Sequence, residues 1–342
     1  MRRKLVVTAV VGSLTLALSV AVSCALGPQR VSLIRALRGL SPDRTIVFEL
    51  RLPRALLGAA VGCALAAAGT ALQALLKNPL AEPFVLGVSG GAALGGTLVL
   101  LASSIASRVL AGAAPLLAAA SPVALGAMAG AAGATLLVFA VGRVGGRLVP
   151  ETALLVGVVF NAFAAAVISL LKVLVAPAEG ARLLYWLMGA IGYERAGTLL
   201  VGSLFILGAV AVLLLLSARL NLLALGEDEA ASLGVNVALS RAVVLLAASA
   251  ATGAAVALSG VVGFVGLIVP HALRRLLGPD HRLLLPASVL FGAAFLVLAD
   301  ALARLAFVAL GTEPPVGALT AFLGGPLFLW LLRRAERPGG VH

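Results

Sequence analysis

Ten apolar runs, most of them long enough to cross a bilayer, divide the 342-residue chain almost from end to end. They lie near 5–26, 55–76, 86–102, 122–141, 152–175, 198–218, 239–258, 261–277, 283–307 and 316–332. A hydrophobic span takes about 20 residues, so nearly the whole chain is committed to membrane. Composition agrees: 62% of the residues are hydrophobic and 11% charged, too few charges to cover a soluble surface of this size. A soluble enzyme, a secreted domain and a disordered adaptor are thereby excluded. The runs are continuous rather than alternating, which excludes a porin-type barrel. The expected fold is all-α: a polytopic membrane protein of about ten transmembrane helices, in a single domain over 1–342.

The breaks carry turn residues: Asn78-Pro79, Pro83, Gly145-Gly146, Pro177, Gly278-Pro279 and Pro314-Pro315. The opening Met1-Arg2-Arg3-Lys4 and the apolar stretch after it read as a retained first helix rather than a signal peptide. The Ala-rich stretch 109–120, interrupted by Pro115, reads as a re-entrant or surface segment. Cys24 and Cys63 lie in apolar runs without paired spacing, and read as small buried residues.

Charge sets the orientation. The 25 Lys+Arg against 13 Asp+Glu need not mean nucleic acid, because membrane topology itself demands basic cytoplasmic loops. An even number of spans puts both termini on one side. Both are basic, with Arg2, Arg3 and Lys4 at one end and Arg333, Arg334 and Arg337 at the other. With the termini cytoplasmic, Lys77, Arg143, Arg147, Arg219, Arg274, Arg275 and Arg282 fall inside as well. Arg30, Arg35, Arg38, Arg44, Arg51 and Arg54 then fall outside, against the topology rule, so another purpose is expected for them.

Small residues at helix-packing spacing (Gly58/Gly62, Gly87/Gly91, Gly126/Gly130, Gly142/Gly146) point to close helix contacts in lipid. No phosphate-binding GxxxxGK[ST] occurs, so the chain is not expected to hydrolyse ATP itself. Ion-coupled carriers keep ionisable groups at mid-membrane, and here the spans are almost bare of acids. Asp300 lies four residues before Arg304, a spacing for a local ion pair. Lys172 ends its span where a lysine snorkels. The transport energy is therefore expected from a partner. The segment RLNLLALGEDEAASLGVNVAL, 219–239, reads as two short helices broken at Gly226 and Gly234. Glu227, Asp228 and Glu229 suit the start of the second helix. Leu222, Leu223 and Leu225 beside them would make a docking knob, and helix capping alone explains the acids equally well. His271 and His281 read as structural or partner-facing rather than metal ligands. Tyr185 and Trp186 read as an interfacial anchor.

RLPRALLGAAVGCALAAAGTALQALLKNPLAEPFVLGVSGGAALG (51–95) resembles the signature region of the FecCD family. NLLALGEDEAASLGV resembles its coupling helices, and GFVGLIVPHALRR, DHRLLLPASVLFGAAFLVLADALARL and EPPVGALTAFLGGPLFLWLL are similar to its C-terminal half. These are permease subunits of binding-protein-dependent ABC importers for ferric siderophores, haem and cobalamin. The resemblance implies a type II importer permease in the inner (cytoplasmic) membrane. It implies a homodimer, or a pair with a paralogous permease, around a central path. Two ATPase subunits would bind the ATP and Mg, with no cofactor, metal or catalytic residue in this chain. A periplasmic or lipid-anchored substrate-binding protein would deliver the metal chelate. An iron-siderophore is the leading cargo, with haem or cobalamin the alternative. From other classes, a secondary carrier would need mid-membrane charge and no ATPase, and a scaffold would need no path.

By the same resemblance, Arg51, Arg54 and Arg304 match arginines that meet carboxylates of the binding protein. Leu222, Leu225, Gly226, Glu227, Ala230, Leu233 and Gly234 fall in the ATPase-coupling segment. Asn78, Pro79 and Leu80 match a gate beside the path. Pro150 and Glu151 stand where cobalamin permeases carry the small hydroxyl residues of a second gate, a departure from that pattern.

Overall fold

In lipid a backbone must satisfy its own hydrogen bonds, and long apolar runs do so as helices. The computed structural model describes residues 2–102, 122–144, 147–173, 177–192 and 196–335. Each of the ten apolar runs is helical there: α1 (Arg2–Ala25), α3 (Leu52–Leu75), α4 (Val88–Leu101), α5 (Pro122–Val141), α6 (Pro150–Val173), α8 (Ala196–Leu215), α11 (Val237–Ser259), α12 (Val265–Leu277), α13 (His281–Leu310) and α14 (Val316–Ala335). Between them lie four short helices, α2 (Leu33–Leu37), α7 (Pro177–Leu187), α9 (Ser217–Leu225) and α10 (Glu227–Ser232). A π-helical turn, Thr45–Arg51, runs straight into α3. The two-residue strands Arg143–Val144 and Arg147–Leu148 form a small antiparallel ladder before α6. The stretch 109–120, Gly146 and Arg337 lie outside the described residues.

Seven helices are long and apolar enough to cross a membrane, among the described residues. Of the other three, α14 is apolar over Val316–Leu329, and α4 and α12 are short, with 14 and 13 residues. At about 1.5 Å per residue they reach about 20 Å, short of the ~30 Å hydrocarbon layer. Each starts late, after irregular backbone: residues 76–87 before α4, and residues 260–264 before α12. Much of the first stretch and part of the second are buried in protein, where other parts of the chain can partner irregular backbone.

The core is built on α3 and α11, whose faces are mostly alanine, glycine and small polar residues. Around α3 pack α13, α11, α12 and α8; α4 packs on α5, and α1 on α13. Close approach is the reason for the glycines. A Cβ at Gly69 of α3 would overlap the Gly266 carbonyl of α12, and one at Gly91 of α4 would overlap the Gly130 carbonyl of α5. Apolar side chains are no better off against each other than against lipid, so this contact of backbones supplies the packing. α1 and α6 stay at the periphery with exposed leucines, valines and phenylalanine.

One element runs the height of the bundle. α13 has 30 residues, about 45 Å. Asp280 caps its start and Gly311, in the left-handed region, ends it. One polar cluster lies at its start and another toward its other end.

Candidate functional site

At the far end of α13, Asp300 is 1% exposed and holds two guanidinium groups. Arg54 of α3 lays its Nε and Nη2 edge on the carboxylate, with contacts of 2.9–3.2 Å. Arg304, one turn on, donates from Nε to Asp300 Oδ2 at 3.2 Å. The i,i+4 pair expected from the sequence is therefore present, within a larger network. Arg304 also donates to the Ser23 carbonyl at 3.0 Å, the Ser23 hydroxyl at 2.6 Å and the Leu26 carbonyl at 3.3 Å. Arg51 donates to the carbonyls of Cys24 at 2.9 Å, Ala25 at 3.0 Å and Gln29 at 2.6 Å. The Ser23, Cys24 and Ala25 carbonyls end α1, with Leu26 and Gln29 just beyond it, and a helix C-terminus leaves its last carbonyls without partners and carries partial negative charge. Arg51 and Arg304 thus cap α1 from two other elements.

The structure brings Arg51, Arg54 and Arg304 together, as the sequence reading grouped them. It corrects how they are presented. None projects as a free side chain; Arg51 and Arg304 are buried on the chain's own carbonyls. Arg54 keeps its Nη1 directed to Glu313 at 3.0 Å, with 11% of its side chain exposed against 33% for Glu313. The exposed guanidinium groups at this end belong instead to Arg30, Arg35, Arg38 and Arg44, with Arg35 paired to Asp43 at 3.2 Å.

At the near end of α13, α9 and α10 form the expected pair, parted at Gly226 and closed at Gly234, which adopts φ +81°. Asn221 of α9 ties the pair to α13. Its Nδ2 donates to Asp280 Oδ1 at 2.7 Å, and its Oδ1 accepts the His281 backbone N–H at 2.8 Å and sits 2.8 Å from His281 Nδ1. Hydrogen bonds from Arg282 hold the Asp280 carboxyl well below the usual carboxylate range. Glu227 pairs with Arg241 of α11. Within the coupling segment, Ala230 packs inward and Leu222 is half-buried, while Leu225 at 65% and Leu233 at 60% stand out as apolar side chains.

The expected gate residues occupy two places. Asn78, Pro79 and Leu80 lie in the turn between α3 and α4, where Asn78 Oδ1 accepts the Leu80 N–H at 2.9 Å. Pro150 and Glu151 form the first turn of α6, with Glu151 exposed, a favourable place for an acid at a helix start. What joins α6 to the α3–α4 turn is Asn161, donating to the Phe84 carbonyl at 2.6 Å. Tyr185 is exposed on α7, whereas the Trp186 ring packs onto Gly96 of α4.

Gln73 and Glu82 are among the polar residues that escaped the sequence reading, with Asn161, Asn221, Arg241 and Glu313. Gln73, buried in α3, donates to the Gly266 carbonyl at 3.1 Å and accepts from Arg274 at 2.8 Å. A glutamine inside an alanine-rich span was the available signal. Glu82 is buried in the α3–α4 turn and accepts the Phe264 backbone N–H; burial raises its carboxyl to about 7. Phe264 itself is a non-glycine residue at φ +68°, at the start of α12.

The fold is a helical membrane bundle with charge networks toward its ends and a short helix pair tied to its longest element. The FecCD transport family model matches residues 10–334, and the chain belongs to that family. The hemin transport system permease protein of Yersinia pestis is 43% identical over 298 residues, 86% of this chain and 85% of that protein. A cobalamin import system permease protein of Halobacterium salinarum is 43% identical over 86% of this chain and 74% of its own length. The Fe(3+)-citrate import system permease protein of Bacillus subtilis is 35% identical over 91% of this chain and 89% of its own. Among solved structures, a metal-chelate type ABC transporter in an inward-facing conformation superposes with a TM-score of 0.79 at 31% identity, covering 96% of this chain and 98% of that one.

Proposed function

We propose that this permease subunit of an ABC importer carries an iron-siderophore or related metal chelate across the inner membrane, powered by separate ATPase subunits. The observation that carries the reading is α13, one continuous helix with Asn221 and the α9–α10 pair at one end and the Asp300 arginine network at the other. A pump driven by a soluble motor needs such a pair of surfaces, one for the motor and one for the delivered cargo. In this reading the α9–α10 end is cytoplasmic, as are both termini, and the exposed Leu225 and Leu233 enter a groove of the ATPase. Two copies of the chain, or the chain and a paralogous permease, enclose the path. ATP and Mg belong to the ATPase. The arginine end faces a substrate-binding protein, with Arg54 as its contact for a carboxylate and Arg51 and Arg304 as the supports that fix it.

The relatives' names span hemin, cobalamin and Fe(3+)-citrate, which supports a metal chelate as the class of cargo. Pro150-Glu151 departs from the small hydroxyl pattern of cobalamin permeases, which speaks against cobalamin. Proteoliposomes containing the permease, its ATPase and its binding protein should accumulate an isotope-labelled iron(III)-siderophore in preference to haem and cobalamin. Accumulation of only haem or only cobalamin would transfer the assignment to that cargo.

A further inference from the structure

Arg54 uses its guanidinium in two halves. The Nε and Nη2 edge is fixed on buried Asp300, which Arg304 also holds. The remaining Nη1 meets Glu313, the more exposed carboxylate, through a single contact of 3.0 Å. The two acids differ in their mounting. Asp300 sits within α13, whereas Glu313 sits in the short connection 311–315 between α13 and α14. That connection opens at Gly311, at φ +69°, and closes with Pro314-Pro315 directly before α14. Glycine permits the backbone to swing, and two successive prolines pass the swing on stiffly. Charge adds a bias: Arg54 and Arg304 balance Asp300 and Glu313, so withdrawing Glu313 leaves a positive charge for an incoming carboxylate.

We propose that Glu313 is an internal stand-in for the docking partner's carboxylate, which displaces it from Arg54 and so releases the connection to α14. The inference rests on the reading that Arg54 receives a binding-protein acid. An arginine takes a planar carboxylate best through two parallel N–H bonds, and the single bond to Glu313 leaves such a partner the better ligand. Asp300 stays in place throughout and keeps Arg54 aimed. The exchange gives docking an effect on the permease beyond adhesion. Without its tie to Arg54, the connection can move α14, whose Gly317 N–H is bonded to the Gly189 carbonyl after α7 at 2.9 Å.

The test uses the complete permease–ATPase complex in lipid nanodiscs, with the transporter's own substrate-binding protein as probe. Glu313→Gln should tighten docking roughly three- to tenfold, because the competitor is gone. Arg54→Gln should weaken docking, and the double variant should behave as Arg54→Gln alone. If Arg54→Gln weakens docking but Glu313→Gln leaves it equal or weaker, the exchange is overturned and the docking reading of Arg54 stands. If Arg54→Gln changes nothing, Arg54 is not the docking residue and both fall. A nitroxide on Thr312→Cys gives a second readout, since Cys24 and Cys63 are buried. Its motion should increase when the binding protein docks; docking with an unchanged spectrum would also overturn the exchange.

Discussion

A single buried carboxylate can decide whether three helices stay together, and Asp300 is that residue here. It pairs with both Arg54 and Arg304, and Arg304 in turn caps the end of α1. Replacing a well-packed ion network by apolar side chains can be neutral, but removing one partner leaves buried charge behind. Asp300→Asn should therefore destabilise the protein by about 3–5 kcal/mol, visible as a lower unfolding temperature in detergent. Arg38→Gln, at an exposed arginine, should shift it by less than about 1 kcal/mol. Equal effects of the two would mean that the network adds no cohesion. The i,i+4 spacing made half of this cluster legible in the sequence. Arg54 and Glu313 were not legible as partners, since they come together across 259 positions, a separation that no local pattern encodes.

Among elements, the least expected is the irregular pair formed by the α3–α4 turn and the backbone before α12. The apolar runs located both neighbouring helices, yet hydropathy cannot register a helix that begins late, because buried irregular backbone is as apolar as a helix. Gly260 and Gly263 were the local hints, and Phe264 gave none. The α9–α10 pair was legible in full, since glycines and an acidic first turn mark its ends. Glu82 makes the turn sensitive to pH. Its carboxyl, near 4.5 in an open chain, is raised to about 7 by burial, against which the Phe264 N–H works. The folded protein then holds the proton more tightly than the unfolded one, so Glu82 lowers stability progressively from about pH 4.5 to 7, with no further change above. Glu82→Gln should thus be close to neutral at pH 5 and stabilising at pH 8 by roughly 3 kcal/mol, at about 1.4 kcal/mol per pH unit. Unfolding temperatures of the two proteins at both pH values give the comparison. A stabilisation that is the same at both would assign the effect to packing instead.

For the whole molecule, the sequence made the class readable because lipid imposes one solution on ten apolar runs. Beyond class, the sequence marked the arginines without showing that they are held by the protein's own carbonyls and carboxylates. Those contacts depend on how α1, α3 and α13 meet at one end. The same geometry links two distant surfaces through α13, and its functional meaning depends on where the energy enters. The decisive measurement is uptake of the chelate into proteoliposomes with the ATPase assembled, proton and sodium gradients collapsed, and ATP supplied on the ATPase side. Uptake should persist without gradients, require ATP, and fall at least tenfold in a Leu225→Asp/Leu233→Asp variant that still inserts. Uptake driven by a gradient in the absence of ATP, or undiminished in that variant, would contradict a permease driven through the α9–α10 pair.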